Sequence, residues 1–339
     1  MELLILNHAE VAALLSMAEC MEVMAEVLET LAAGDAILPL RTVIRIPDSP
    51  NAFGAMPAYL ARPAAIGIKV ITVFPENGKA GLDSHQGAVL LYEAQHGQLQ
   101  AIMDATTITA IRTAAVSGVA TRVLARDDAA ELAILGSGVQ ARTHLEAMTQ
   151  ARSIRGVRVW SRSAERARSF VREMSGLYDL ALEAVATPEK AVVGADIVCT
   201  VTASREPVLR GDWLVPGTHI NAVGASLANA RELDSEAVRR SRLYVDRRES
   251  ALNEAGDFLI PQGEGIISES HIIGELGDLL LAKIPGRRSA DEITLFKSLG
   301  LAVEDVAAAH HVHAKAIATG AGTRVELGGA AAGLTAVSP

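Results

Sequence analysis

The stretch that most constrains this chain is residues 132–148, LAILGSGVQARTHLEAM. Leu132 to Leu135 form a short apolar run of strand type, Gly136-Ser137-Gly138 breaks it, and residues 140–148 have helical character. A strand, a glycine turn and a helix in this order open a nucleotide-binding βαβ unit. Gly136 permits the tight turn, Gly138 lets the backbone approach a pyrophosphate, and Ala141 stands where a small residue packs helix on strand. The helix start, with Ser137, Val139 and Gln140 around it, presents free N–H groups and the positive dipole end to phosphates.

The chain beyond this unit fits a parallel sheet. Residues 156–160 read as the second strand, and its end is where cofactor type is decided. An NAD enzyme places a carboxylate there for the ribose hydroxyls. This chain has Ser161-Arg162-Ser163, and an arginine with hydroxyls receives a 2′-phosphate, so NADP(H) is expected over NAD(H). Strand candidates at 195–202, 218–224, 243–246 and 293–298 alternate with helical patterns, as a doubly wound sheet requires. Ligands bind at the carboxyl ends of such strands. Gly136-Ser137-Gly138, Thr202, Gly224-Ala225-Ser226 and Ser298-Leu299-Gly300 should therefore line one crevice.

The first hundred residues read differently, as an antiparallel α+β layer. Residues 16–33 form a helix, with Ser16 and Glu19 as a capping box and Gly34 as the stop. Residues 37–46 alternate as one strand, with Leu38, Leu40, Ile44 and Ile46 on one face and Arg41, Val43 and Arg45 on the other. Residues 65–74 form a second strand, apolar on both faces and so expected to be buried on both, with Lys69 its only charge. A lysine there is costly unless paired, which marks it as a functional candidate. A hairpin around His96-Gly97 comes next. Residues 106–122 form a helix crowded with Ala, Thr, Ser and Gly, where Arg112 is the only charge between Asp104 and Arg122 and is expected to reach into a cleft. Residues 126–128 are a polar connection. Residues 301–318 form a last long helix, with Glu304 and Asp305 early in it, and the tail beyond Gly320 is expected to be loosely ordered at its end.

With 339 residues, half of them hydrophobic, the chain has ample core for two domains. A net charge of −9 argues against a nucleic-acid partner, and no apolar run is long enough to span a bilayer. The N-terminus lacks the order of a signal peptide, and Cys20 and Cys199 sit in apolar contexts as buried thiols, so a cytoplasmic location is expected. His310, His311 and His313 cluster without acidic or cysteine partners in sequence and read as ordinary helix histidines, so no metal site is expected.

Together the motifs resemble the ornithine cyclodeaminase/μ-crystallin family over nearly the whole chain. The residues that carry the resemblance are Gly54-Ala55-Met56-Pro57, Gly67-Ile68-Lys69, Gly81 to Gly87, Asp104-Ala105 through Arg112-Thr113-Ala114-Ala115, Gly136 to Ala141, Arg231-Glu232-Leu233-Asp234 and Phe296-Lys297-Ser298-Leu299-Gly300. The resemblance implies an α/β fold: a Rossmann-type domain (126–304) inserted in an α+β substrate-binding and dimerisation domain (1–125 and 305–339), assembled as a homodimer. It implies an enzyme of small α-amino or α-imino acids in which Arg45, Lys69 and Arg112 hold the substrate. Two guanidinium groups can grip a carboxylate, and Lys69 then contacts the nitrogen side. Thr113, Ser298 and Leu299 approach the nicotinamide end, and Phe53, Met56, Tyr59 and His85 are candidates to shape the pocket. One departure matters. Cyclodeaminases and archaeal alanine dehydrogenases of the family place an aspartate where this chain has Ser226. A hydroxyl cannot act as a carboxylate base at neutral pH. The serine form resembles the ketimine reductase and pyrroline-2-carboxylate reductase branch, so the expected reaction is NAD(P)H-dependent reduction of a small cyclic ketimine carboxylate. Cyclodeaminase or amino acid dehydrogenase chemistry is the alternative within the fold, and an NADPH-dependent binding protein the alternative outside catalysis.

Overall fold

The strand Ala64–Val73 shows how the first part of the chain is built. Ala65, Gly67, Lys69 and Ile71 are buried against helices, while Ile66 and its neighbours on the other face stay open. The expected burial on both faces is therefore not met within one chain. The computed structural model describes residues 2–327. In the first sheet, Thr323–Glu326, Glu2–Leu6, Leu99–Asp104, His85–Glu93, Ala64–Val73, Ala52–Ala61 and Ala36–Ile37 lie side by side, and Thr42–Arg45 also pairs with Ala52–Ala61. All these pairs are antiparallel except Glu2–Leu6 with Leu99–Asp104. One expectation changes here. The reading of 37–46 as one strand fails, because Pro39 cannot donate to a ladder and Arg41 turns away to Glu254. Just beyond Gly320 an edge strand forms, Thr323–Glu326, and the end of the tail, 328–339, where loose order is expected, lies outside the described residues. The strands Glu2–Leu6 and Ala52–Ala61 are additions that the sequence pattern does not announce.

One face of this sheet carries the helices Met17–Ala32, Ala105–Leu124 and Ala302–Thr319. Ser16 and Glu19 form the expected capping box on the first. The second is buried on nearly every side, which explains its small residues: Gly118 packs on Met21, and Thr121 Oγ1 accepts from Asn221 Nδ2 at 2.9 Å in the other sheet. The sheet's opposite face bears an apolar row in register, Ile5, Ile102, Leu90 and Ile68.

The second sheet is wholly parallel. Its order is Ala181–Ala184, Gly156–Trp160, Glu131–Leu135, Ile197–Thr200, His219–Ala222, Ile293–Lys297, Ser241–Val245 and Ile272–Glu275. The chain reverses its direction of winding between Glu131–Leu135 and Ile197–Thr200, which is the switch point where such sheets open a crevice. The loops after four adjacent strands, the expected crevice wall, leave Leu135, Thr200, Ala222 and Lys297 along one edge.

Candidate active site

Lys69 is 2% exposed in a strand and has, among the described residues, one anionic partner, Asp305, whose Oδ2 lies 2.7 Å from Nζ. The contact is a close, buried ion pair. Thr109 Oγ1 stands 3.4 Å away. Burial lowers the ammonium to a pKa of about 8 against the pull of Asp305, and the Arg112 and Arg41 charges lower it further. Asp305 reaches this strand because Gly67 has no side chain: a Cβ there would stand 2.7 Å from Val306. Met56 is Lys69's cross-strand partner and shares its face.

Arg112, 4% exposed, meets the same helix start. Its Nε donates to Asp305 Oδ1 at 2.9 Å and its Nη1 to Glu304 Oε2 at 2.7 Å. Among the described residues Nη2 has no hydrogen-bond partner. Burial raises Glu304 to a pKa of about 7, against the attraction of Arg112 and with repulsion from Asp246 and Asp305. Glu304 Oε1 is buried without a partner. Sequence reasoning places Glu304 and Asp305 early in a helix and gives them no role. An i, i+1 acidic pair in the first turn of a helix is ordinary in sequence, since the dipole favours it.

Arg45 is exposed. Its register partner Ala52 lies four positions from Met56, so Arg45 shares the Lys69 face, roughly 13 Å along the strands. The structure therefore joins Lys69 to Arg112 and leaves Arg45 at the open end of the same face. His85 is paired with Val73 and shares that face as well; packing, and then the Lys69 charge, lower its imidazole pKa. Phe53 and Tyr59 fall on the opposite face by strand parity, so their expected place in the pocket is corrected. Arg41 is held by Glu254 at 2.9 Å and by the Leu299 carbonyl at 2.8 Å.

On the other wall, Gly136 has φ +133, and a Cβ there would stand 2.7 Å from the Val201 carbonyl oxygen. Gly138 caps the helix Val139–Ala151 with no side-chain hydrogen bond and faces open space. Ser137 is half-buried, Val139 is exposed at the lip, and Gln140 Oε1 is buried without a partner. An uncapped helix start and an open glycine fit a dinucleotide's pyrophosphate. Arg162 is exposed at the end of the Gly156–Trp160 strand beside Ser161, while the Ser163 hydroxyl caps the next helix by accepting from Arg166 N–H. Thr113 is buried next to Arg112.

The remaining crevice residues hang on a network that sequence reasoning missed. The buried Glu232 carboxylate accepts from the Thr202 N–H and hydroxyl, both at 2.6 Å, and from Gly224 N–H at 2.7 Å. Asp257 accepts from the Glu232 and Leu233 N–H groups and pairs with Lys297 at 2.9 Å, and Lys297 Nζ donates to the Ala225 carbonyl at 2.6 Å. Three strand-end loops are thereby tied together around Ser226, which is half-buried. Among the described residues its hydroxyl takes no partner. Asp246 accepts from Leu299 N–H at 2.5 Å and Gly300 N–H at 2.8 Å, and Ser298 N–H donates to Ala222 at 3.0 Å. The Arg231-Glu232-Leu233-Asp234 motif was the available signal; its buried position was not. Among the described residues no group of three His, Cys, Asp or Glu is placed to hold a metal ion, and no helix is long and apolar enough to cross a membrane.

A cation pair behind an open nucleotide turn can be compared with known proteins. The mouse ketimine reductase mu-crystallin is 42% identical over 280 residues, 83% of this chain and 85% of its own. A Delta(1)-pyrroline-2-carboxylate reductase of Bacillus cereus is 37% identical over 325 residues, 96% of this chain and all of its own. The solved structure of the Thermococcus litoralis Delta(1)-pyrroline-2-carboxylate reductase, in complex with NADH and L-proline, superposes with a TM-score of 0.93 at 42% identity, covering 95% of this chain and 100% of that one. The model of one family matches residues 1–320. From sheet order to matched length these findings agree: the chain belongs to the ornithine cyclodeaminase/mu-crystallin family.

Proposed function

We propose that the protein reduces a small α-imino acid, a cyclic ketimine carboxylate such as Δ1-pyrroline-2-carboxylate, to the amino acid with NAD(P)H. The observation that carries this reading is the juxtaposition of Lys69 and Arg112 on one buried face, with Ser226 rather than a carboxylate at the edge of the crevice. Arg112 offers its free Nη2 edge to the substrate carboxylate, and Arg45 closes on it from the open end of the face. Lys69, largely an ammonium at pH 7 with a pKa of about 8, donates a proton to the imine nitrogen. The Ser226 hydroxyl orients the substrate or a water. Gly136, Ser137, Gly138, Val139 and Gln140 bind the pyrophosphate, with Thr113, Thr202, Ser298 and Leu299 toward the nicotinamide. When bound, the cofactor supplies the hydride to the imine carbon.

Three finer assignments belong to the same reading. NADP(H) is preferred, because Arg162 stands exposed with Ser161 beside it where a 2′-phosphate would lie. The enzyme is a homodimer that covers the apolar row of Ile5, Ile102, Leu90 and Ile68, where Ile44, Phe53 and Ile66 are also exposed. The domains divide as 1–125 with 305–339 and 126–304, and the protein is cytoplasmic, in keeping with two free buried cysteines; burial pushes the Cys199 thiol up to about 12. The test is oxidation of NADPH and of NADH with pyrroline-2-carboxylate, piperideine-2-carboxylate, and pyruvate plus ammonia. Turnover of the cyclic imines, faster with NADPH, is expected. Inert cyclic imines, with ornithine converted to proline and ammonia, would overturn the reading.

A further inference from the structure

We propose that Asp305 is a positioning residue that makes the two substrate-holding cations one unit, fixing the Arg112 guanidinium with one oxygen and serving as counter-charge to the Lys69 ammonium with the other. The inference rests on the functional reading above. Asp305 is fully buried, so it acts through Lys69 and Arg112 rather than on the substrate. Oδ1 accepts from Arg112 Nε at 2.9 Å and Oδ2 lies 2.7 Å from Lys69 Nζ, so the relative placement of carboxylate grip and proton donor is set by a single side chain. Glu304, its neighbour, pairs with Arg112 and, among the described residues, with no other cation. Both stand in the first turn of the helix Ala302–Thr319, whose positive dipole end favours carboxylates there.

The chemistry gives the counter-charge a purpose. An N–H bond breaks at Lys69 as one forms at the imine nitrogen, and the positive charge moves from the ammonium to the substrate. The C=N bond is then reduced by the hydride of the nicotinamide, which is oxidised. Neutral Lys69 regains its proton from solvent. An anion beside Lys69 favours the positive charge on either side of the transfer, whereas the Arg112 and Arg41 cations oppose it, His85 at the rim is held toward its neutral form, and the Glu304 carboxyl is turned to Arg112.

The experiment compares Asp305→Asn, Asp305→Glu and Glu304→Gln with the wild type, reading kcat, KM, the pH profile of kcat/KM and calorimetric binding of pyrrole-2-carboxylate, a planar carboxylate that cannot be reduced. Asp305→Asn keeps an acceptor for Arg112 and removes the charge. It should lower kcat about 100-fold, change affinity for the analogue much less, and move the alkaline limb from near 8 to at least one pH unit lower. Glu304→Gln should raise KM and leave the limb in place. Asp305→Asn with the wild-type limb and a kcat within threefold would overturn the proposal. Should Asp305→Asn fail to fold, Asp305→Glu decides: a limb kept near 8 with reduced kcat supports the role, and a limb displaced by a unit or more overturns it. Wild-type enzyme inert toward every imine would instead defeat the functional reading, which separates the two failures.

Discussion

Around Lys69 the proposed site is built of buried, mutually paired side chains; around Gly136 it is built of backbone. The first wall places Lys69, Arg112, Glu304 and Asp305 in a cluster almost closed to solvent, two cations against two carboxyl groups. The second presents an uncapped helix start and loops tied from behind by Glu232, Asp257 and Lys297. The difference teaches where each wall is vulnerable. Deleting a side chain from the first leaves an unpaired buried charge. Adding a Cβ to the second destroys the shape that exposes its N–H groups.

The sharpest way to break the contrast is Arg112→Ala. Losing one member of a buried, hydrogen-bonded charge pair costs about 2–5 kcal/mol, so kcat/KM toward the imine should fall roughly 30- to 4000-fold. Fluorescence titration should show NADPH binding little changed. Equal losses in both would mean that the walls are not separate. Gly136→Ala makes the converse test. Its Cβ meets the Val201 carbonyl with a backbone φ that L residues seldom adopt, so NADPH affinity should drop roughly tenfold or more, while calorimetry still detects pyrrole-2-carboxylate.

The smallest effect sharpens the first wall. Glu304 titrates near 7 in the folded chain against an ordinary 4.5. The folded state therefore holds a proton that the unfolded state has released between those values. Stability is favoured below 4.5 and declines as pH rises through 7. Glu304→Gln has no such proton to lose. Its melting temperature should match the wild type's near pH 5 and exceed it by roughly 2–5 °C at pH 8. A difference independent of pH would remove Glu304 from the titrating cluster.

The two walls were not equally legible in the sequence. The glycine turn was readable because tight turns and helix starts are local: Gly136, Gly138 and the apolar run before them lie within a few residues. Lys69 and Arg112 were visible as isolated charges in apolar elements. Their partner was not, because Asp305 lies 193 residues from Arg112 and nothing local in an acidic helix start names what it will meet. Strand parity would have moved Phe53 and Tyr59 off the Lys69 face only if Ala52–Ala61 had been recognised as a strand, and the lack of that strand also hid its pairing with Thr42–Arg45. Pro39 ends the ladder without ending the hydrophobic alternation, which runs straight through it.

The passage from Ser298 to Asp305 touches both walls within eight residues: Ser298 bonds to Ala222, Leu299 and Gly300 to Asp246, Gly300 packs against Arg112, and Glu304 and Asp305 hold the cations. For anyone building chimeras, this makes the two crossings between sheets unequal. The outward crossing near Arg126 is a polar connection that a splice can cross without touching Lys69 or Arg112. The return crossing is a ruler of fixed length. A transplanted nucleotide-binding half joined there one residue out of step would turn Asp305 about 100° around its helix and disconnect it from Lys69 and Arg112, so functional recombinants should carry their junction beyond Asp305 and take the acidic pair with the donor of the parallel sheet.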